Sequence, residues 1–449
     1  MARSSRPQAE QDLFSFLRIP SVSSLPRHNS DTRRAGEWVA ERLRRTGMKV
    51  EMHDVEGGWH PVIAAEWLGR PGKPTLTIYG HYDVQPVDPI DEWVSPPFEP
   101  TVRNGNVYAR GACDNKGQIL AGIKAVEHAF AAGGPPLNVR FLIEGEEEVT
   151  GPSLPQFVRA NASRLATDYL IIADGEFTGP GLPNLLTGLR GILYTELVAE
   201  GAAADLHSGI FGGVAPNPLN TLAHVISALK GRDGKISIPG FYDDVQAPAP
   251  DEVAAWKKMP KDEAALNIAM ATRAIEGEAE FSPVERIWAR PTLDVHGIVG
   301  GFVDEGKKTV IPARAKAKVS MRLVPNQDPA KILASLGRYV QELSTPGIAM
   351  SVNDLGQAKP VLSGVDHAGV AAAIRAFQKS FGATPVLVRE GGSVPVALDF
   401  QEALAPKMLL TGFGLPDDAL HSPNEKMSLE QYHLGTEMML QLMEELSSV

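Results

Sequence analysis

TLTIYGHYDV, residues 75–84, is an apolar run that ends abruptly in an imidazole and a carboxylate. Residues 75–79 read as a buried strand, because a short run of β-branched and aromatic side chains fits a pleated interior. The run continues into Gly80-His81-Tyr82-Asp83, and the strand period of two puts His81 and Asp83 on the same side. An aspartate so placed is able to fix the tautomer of an imidazole that binds a metal. Taken alone, a histidine in such a position is more often a packed or surface residue.

The same pattern recurs outward from this stretch. Asn115-Lys116-Gly117 opens a helix whose apolar face is Ile119, Ile123, Val126 and Phe130. Residues 139–143 form a second buried strand, ending in Glu144-Gly145-Glu146-Glu147-Glu148, and residues 169–172 form a third, ending in Ala173-Asp174. Strands alternating with amphipathic helices indicate an α/β domain, and in such sheets ligands bind outside the carboxyl ends of the strands.

From about Gly188 the texture changes. A strand at 193–198 is followed by a helix carrying Leu219, Leu222, Ile226 and Leu229. Next comes a strand in which Ala315, Ala317, Val319, Met321 and Leu323 alternate with Lys316, Lys318, Ser320 and Arg322, as in a sheet with one solvated face. A second helix carries Ile332, Leu336, Tyr339 and Leu343. Two helices over a small antiparallel sheet make an inserted domain at 188–358, so a first domain at 1–187 resumes at 359–449. Pro248 and Pro250 argue against regular structure in residues 239–260. The returning part has a helix at 366–381, a strand around Val386 and a terminal helix at 429–446.

The 449 residues suit about two domains, one of them enlarged. A net charge of −11 without any long basic run argues against nucleic acid as a partner. No uninterrupted apolar stretch is long enough to span a bilayer, so no membrane is expected. The N-terminus has no apolar core of a secretory signal, and the one cysteine, Cys113, fits a reducing compartment; cytoplasmic residence is the expectation.

Asp114 in isolation reads as a helix cap, and Asp174 as a turn residue. Glu146-Glu147-Glu148 in isolation reads as a solvated acidic loop, but adjacent carboxylates after a buried strand repel one another unless cations or protons offset them. Taken together, His81, Asp114, Glu148, Asp174 and His421 are an oxygen-rich set with two imidazoles, suited to two borderline divalent ions. Two such ions need a bridging carboxylate at a separation of roughly 3.5–4 Å, and supply a Lewis acid and an activated water. Glu147, next to Glu148, is then the natural general base, taking a proton from the bridging water and returning it to the leaving amine.

Five motifs, in order along nearly the whole chain, carry a resemblance: Gly80-His81-Tyr82-Asp83-Val84-Gln85-Pro86, Arg110-Gly111-Ala112-Cys113-Asp114-Asn115-Lys116-Gly117, Glu144-Gly145-Glu146-Glu147-Glu148, Asp205-Leu206-His207-Ser208-Gly209 and His421-Ser422-Pro423-Asn424-Glu425. The sequence resembles the dinuclear-zinc metallopeptidase family of carnosine dipeptidases, carboxypeptidase G and succinyl-diaminopimelate desuccinylase, nearest to its cytosolic nonspecific dipeptidase branch. The resemblance implies a zinc-exopeptidase-like α/β catalytic domain, with a mixed sheet flanked by helices, and an inserted α+β lid domain that forms a homodimer. It also implies two divalent ions per subunit, zinc first, with manganese or cobalt as alternatives. His81, Asp114 and Asp174 would bind one and Asp114, Glu148 and His421 the other. Asp114 would bridge through a cis Asp114-Asn115 peptide, Asp83 would orient His81, and Glu147 would be the base.

By the same resemblance His207 would reach the partner subunit's active site and stabilise the carbonyl oxyanion. Arg322 and Arg389-Glu390-Gly391-Gly392-Ser393 look like the site for a substrate carboxylate, with backbone N–H groups of Gly392 and Ser393 completing the grip. Thr309 resembles another substrate contact. One departure stands out: a second lid histidine is expected shortly before Lys359-Pro360, and Gly356 stands in its place. The implied function is hydrolysis of dipeptides or short peptides with a free C-terminal carboxylate. The rival enzyme reading is an N-acyl or N-carbamoyl amino acid amidohydrolase, and the rival from another class is a binding relative without turnover.

Overall fold

A computed structural model describes residues 6–259, 263–391 and 395–449. The chain folds as two compact units, Met1–Thr187 with Ser363–Leu387 and Pro395–Val449, and Gly188–Leu362 with Val388–Val394. The sequence places the return to the first domain at residue 359; in the structure it falls at Ser363, and a later stretch rejoins the second unit. The reason lies in pairing partners. Val361 pairs with Leu189, and the Arg389 guanidinium lies 2.9 Å from the Glu252 carboxylate.

In the first unit the central sheet runs in the order Lys49–His53, Val62–Trp67, Asn138–Glu144, Thr75–His81, Tyr169–Glu176, Lys407–Gly414, Asn184–Leu189. Thr75–His81 is parallel to both of its neighbours, and Lys407–Gly414 is parallel to Tyr169–Glu176. Four adjacent strands therefore point the same way, and their carboxyl ends share one edge. That alignment is what gathers residues far apart in sequence.

Both faces of the sheet are covered, which is why its parallel strands read as continuous apolar runs. Leu76, Ile78, Phe141 and Ile171 pack into one core with Ile119 and Ile123 of Lys116–Ala131, Phe377 of Ala368–Phe381 and Met439 of Leu429–Leu446. On the other face Tyr79 meets Phe400 of Pro395–Leu404 edge-on, with ring centroids 5.6 Å apart. The helix Lys116–Ala131 is read from sequence as having one apolar stripe, yet Lys116, Gln118, Ala121 and Lys124 are buried as well. Their polar ends have partners: the Lys116 ammonium donates to the Ile19 carbonyl at 2.6 Å, and Lys124 to Asp12 and Glu127. Among the described residues no helix is long and apolar enough to cross a membrane.

The second unit is built on an antiparallel sheet in the order Thr292–Gly300, Arg314–Leu323, Gly191–Glu200, Ala349–Ala358. Leu193, Leu197, Val319 and Met321 face a core shared with Leu222 and Val225 of Pro218–Leu229 and with Leu336 and Val340 of Pro329–Glu342. By the period of two, Tyr194, Glu196, Ser320 and Arg322 project from the opposite face. Residues 239–260 are not irregular throughout, because Pro250–Trp256 is helical. Pro250 sits in its first turn, where a missing N–H costs nothing, and the Glu252 carboxylate accepts the Ala249 N–H at 2.9 Å. Trp256, almost fully buried, anchors this helix edge-on against Trp288.

Candidate metal centre and active site

The shared strand edge assembles the ionisable residues. His81 is the last residue of Thr75–His81, and Asp174 lies near the end of Tyr169–Glu176. Glu147 and Glu148 open the short turn Glu147–Val149 just after Asn138–Glu144. His421 sits in the loop beyond Lys407–Gly414 with a left-handed backbone, φ 60°. Asp114 precedes the helix Lys116–Ala131, and its peptide bond to Asn115 is cis. It does not cap that helix: its carboxylate is spanned by two imidazoles, with His81 Nε2 3.1 Å from Oδ1 and His421 Nε2 2.9 Å from Oδ2.

Two donor groups result, His81 with Asp114 and Asp174, and Asp114 with Glu148 and His421. His81 Nε2 lies 3.6 Å from Asp174 Oδ1, and His421 Nε2 lies 3.4 Å from Glu148 Oε2. Whether these residues suit metal ions is decided by their unmet bonding. His81 Nε2 and Glu148 Oε1 are buried without an aligned hydrogen-bond partner. The other ring nitrogen, His81 Nδ1, lies 3.1 Å from the Asp83 carbonyl, which leaves the Nε2 lone pair directed at carboxylate oxygens. A cation between them satisfies both, so the donor set fits divalent ions.

The electrostatics agree. Burial and the Asp114 charge push the Glu148 carboxyl up to about 10, against the pull of His81. Burial also raises Glu147, to about 7, with the Asp174 and Asp114 charges adding to it and His81 opposing it. Burial raises Asp174 likewise. Burial acts in the same direction on Asp114, but the imidazoles of His421 and His81 beside it outweigh it and hold that carboxyl well below its ordinary value. Carboxylates that resist ionisation side by side are those a bound divalent ion stabilises.

Around this set lies a layer of fixing contacts, of which the sequence reading identifies only that of Asp83 with His81. Asp83 Oδ1 is 3.3 Å from His81 Nδ1, while its Oδ2 accepts from Ser23 Oγ at 2.7 Å and from the Glu148 N–H at 3.1 Å. Gln85 donates to Glu148 Oε2 at 2.7 Å, and Asn115 Nδ2 to Asp174 Oδ1 at 2.6 Å. Glu425 is the most connected of these residues. Wholly buried, it accepts from Arg110 Nη1 at 2.8 Å, Gly111 N at 2.9 Å, Cys113 N at 3.0 Å and Asp114 N at 3.1 Å. It thereby ties the loop of His421 to the loop of Asp114. Its place four residues after His421 was the one available signal, and it does not reveal a partner more than three hundred positions away.

The remaining expected residues among those described lie in the second unit. His207 is exposed, and its Nδ1 accepts the Gly209 N–H at 3.0 Å, so the neutral ring carries its proton on Nε2. Thr309 adjoins it, its carbonyl accepting from Ser208 N at 3.1 Å. Arg322 is half-buried on the polar face of its strand. Arg389 is not available to a substrate: it is buried, and its guanidinium binds both oxygens of Glu252. Gly392 and Ser393 fall outside the described residues.

The Glu425 contacts carry a prediction. Glu425→Gln replaces one accepting oxygen by an N–H that faces other N–H donors, so Asp114 loses its fixed position. Metal affinity is expected to fall about 10- to 100-fold, the usual cost of losing a contact that orients a ligand. Calorimetric titration of the metal-free protein with zinc measures it, and an unchanged affinity would remove Glu425 from the centre.

Comparison with known proteins agrees with this geometry. Residues 77–445 match the model of peptidase family M20/M25/M40. A Cys-Gly metallodipeptidase of Schizosaccharomyces pombe is 32% identical over 448 residues, covering 96% of this chain and 94% of that protein. The human Beta-Ala-His dipeptidase is 32% identical, over 93% of this chain and 85% of its own length. Among solved structures, an M20 family metallo-carboxypeptidase from Sulfolobus solfataricus superposes with a TM-score of 0.84 at 31% identity, over 98% of this chain and 99% of that one. Human carnosine dipeptidase 1 superposes with a TM-score of 0.80 at 31% identity, over 99% and 97%. With a family model spanning most of the chain and relatives aligned almost end to end, the protein belongs to peptidase family M20/M25/M40.

Proposed function

We propose that the protein is a dipeptidase that hydrolyses the amide bond next to a free C-terminal carboxylate, with Glu147 as general base. The observation that carries this reading is the placement of Glu147. It lies beside Glu148 at the strand edge that also holds the metal-fitting donors, next to the ligands but outside both donor groups. A carboxylate so placed can take a proton from water at the ions and pass it on to the leaving group. The names of the relatives, a Cys-Gly metallodipeptidase and a Beta-Ala-His dipeptidase, support short peptides as the substrate class.

In this reading His81, Asp114 and Asp174 hold one divalent ion and Asp114, Glu148 and His421 hold the other, with zinc as first choice and manganese or cobalt as alternatives. Such a pair, when bound, supplies a Lewis acid for the scissile carbonyl and makes water a nucleophile near neutral pH. Glu147 takes a proton from the attacking water and delivers it to the leaving amine nitrogen. Asp83 keeps His81 in one tautomer. Arg322 holds the substrate carboxylate, its planar fork matching two oxygens, and Thr309 with the backbone of Gly392 and Ser393 completes the grip.

His207 donates from Nε2 to the carbonyl oxygen as negative charge develops there, in the active site of the partner subunit of a homodimer. The second unit would act as lid and dimer interface. Its strand Thr292–Gly300 lies at the sheet edge with Val295, Ile298 and Val299 exposed, a surface that monomers normally protect. A cytoplasmic setting is part of the same reading, supported by one buried free cysteine, Cys113. A second reading, cleavage from longer peptides, is favoured by Gly356, because a Cβ built there has no atom within 4 Å.

Metal-restored protein is expected to cleave unblocked dipeptides faster than tripeptides and faster than N-acetylated or N-carbamoylated amino acids. Glu147→Gln should keep its metal and lose about 10²- to 10⁴-fold in kcat, the range for a general base. Cleavage of N-blocked amino acids alone makes the protein an amidohydrolase, and no cleavage with any metal makes it a binding protein. The dimer has its own test. Ile298→Lys puts a charge on the exposed edge, so sedimentation velocity should show a shift from dimer toward monomer, with kcat falling as His207 leaves its partner. A protein that sediments as a monomer before the substitution contradicts the dimer.

A further inference from the structure

One row of side chains crosses every strand of the second unit's sheet on the face away from its helices. Asp294 opposes Ser320, Ser320 opposes Tyr194, and Tyr194 opposes Gly356. Two β-bulges bracket this row. His296 is the extra residue between the pairs Val295↔Val319 and Gly297↔Lys318, and Leu355 is the extra residue between Asp354↔Thr195 and Gly356↔Tyr194. Bulges concentrate next to active sites, where they re-aim a side chain.

Here the first bulge aims an imidazole. The His296 ring lies parallel to Tyr194 with centroids 5.3 Å apart and planes 6° from coplanar. His296 Nε2 is 2.7 Å from Ser320 Oγ, and Ser320 is itself buried, so the hydroxyl holds the ring from below. The two rings therefore form an offset stack, with His296 the more exposed of the two, and this stack is the platform. At the far end of the row, Gly356 has φ 145° and contributes no side chain, and a Cβ built there has open space around it. The stack thus has open space on its Gly356 side.

Arg322 stands two residues from Ser320 along the same strand and the same face, a spacing of roughly 7 Å. We propose that Tyr194, His296 and Ser320 form a specificity subsite beside Arg322, taking the planar ring of an aromatic or imidazole side chain on the substrate's C-terminal residue. This rests on the reading of Arg322 as the anchor of the substrate carboxylate: a carboxylate held there leaves the side chain of the same residue within reach of the platform. Of the charges on that face, Glu196 and Lys316 are paired at 3.2 Å, and Asp294 stands at the outer end of the row. What the row offers is a π-face with a polar rim, and rings stack on it with a modest, geometry-dependent gain.

The test is equilibrium binding, which separates the subsite from turnover. Metal-loaded full-length Glu147→Gln protein is titrated calorimetrically with Gly-Phe and with Gly-Ala, alone and combined with Tyr194→Ala, Tyr194→Phe or His296→Ala. The single variant should bind Gly-Phe about three- to tenfold more tightly than Gly-Ala, the size of one ring-on-ring contact. Tyr194→Phe should keep that ratio, Tyr194→Ala should bring it near one, and His296→Ala should reduce it. A ratio near one before the Tyr194 substitution, a ratio that survives Tyr194→Ala, or no binding of either peptide overturns the subsite. If the ratio behaves as expected while wild type cleaves no dipeptide, the hydrolytic reading fails and the subsite stands. If dipeptides are cleaved without any ring preference in binding, the reverse holds.

Discussion

Burying like charges is the constraint around which the first unit is organised. Asp114, Glu147, Glu148 and Asp174 lie at one sheet edge, with the imidazoles of His81 and His421 between them. Removing such groups from water costs several kcal/mol each unless opposite charge compensates. Protons on the carboxyls relieve part of that cost, which is why Glu147 and Glu148 sit at about 7 and about 10. Divalent ions relieve it more completely, and they convert a destabilising cluster into a reactive one. A fold that keeps this cluster therefore keeps it for chemistry.

Holding the cluster in one geometry falls to the layer beneath it. Parallel strands deliver His81, Asp174, the Glu147–Val149 turn and the His421 loop to a common edge, but strand ends alone do not fix side-chain rotamers. Ser23, Gln85, Asn115 and Glu425 do so by hydrogen bonds to Asp83, Glu148, Asp174 and the Asp114 backbone respectively. Glu425 also neutralises Arg110, which is almost fully buried, at 2.8 Å, so one carboxylate serves both the charge balance of the interior and the position of the shared ligand.

Much of this was legible in the sequence because it is written locally. Apolar runs ending in acidic or imidazole residues mark both the strand and its functional end, and the alternation at residues 315–323 marks a half-covered sheet. What was not legible depends on pairings between distant residues. Glu252 takes Arg389 away from the substrate role that its neighbours Gly391 and Gly392 suggest, and nothing local announces an ion pair spanning that distance. Pro250 looked like a breaker because proline forbids a helix interior, whereas the structure uses it in the first turn. The Tyr194–His296 platform depends on a bulge, and a shift of one residue in a ladder leaves no periodic trace in the sequence.

The sharing of Asp114 between the two donor groups is best tested by counting metal ions. Wild type, Asp174→Ala, His421→Ala and Asp114→Asn would each be stripped of metal, dialysed against zinc and measured by mass spectrometry. The expected result is two equivalents in wild type, one in Asp174→Ala and in His421→Ala, and neither ion retained in Asp114→Asn. A full equivalent kept by Asp114→Asn would contradict a shared carboxylate and separate the two groups into independent sites.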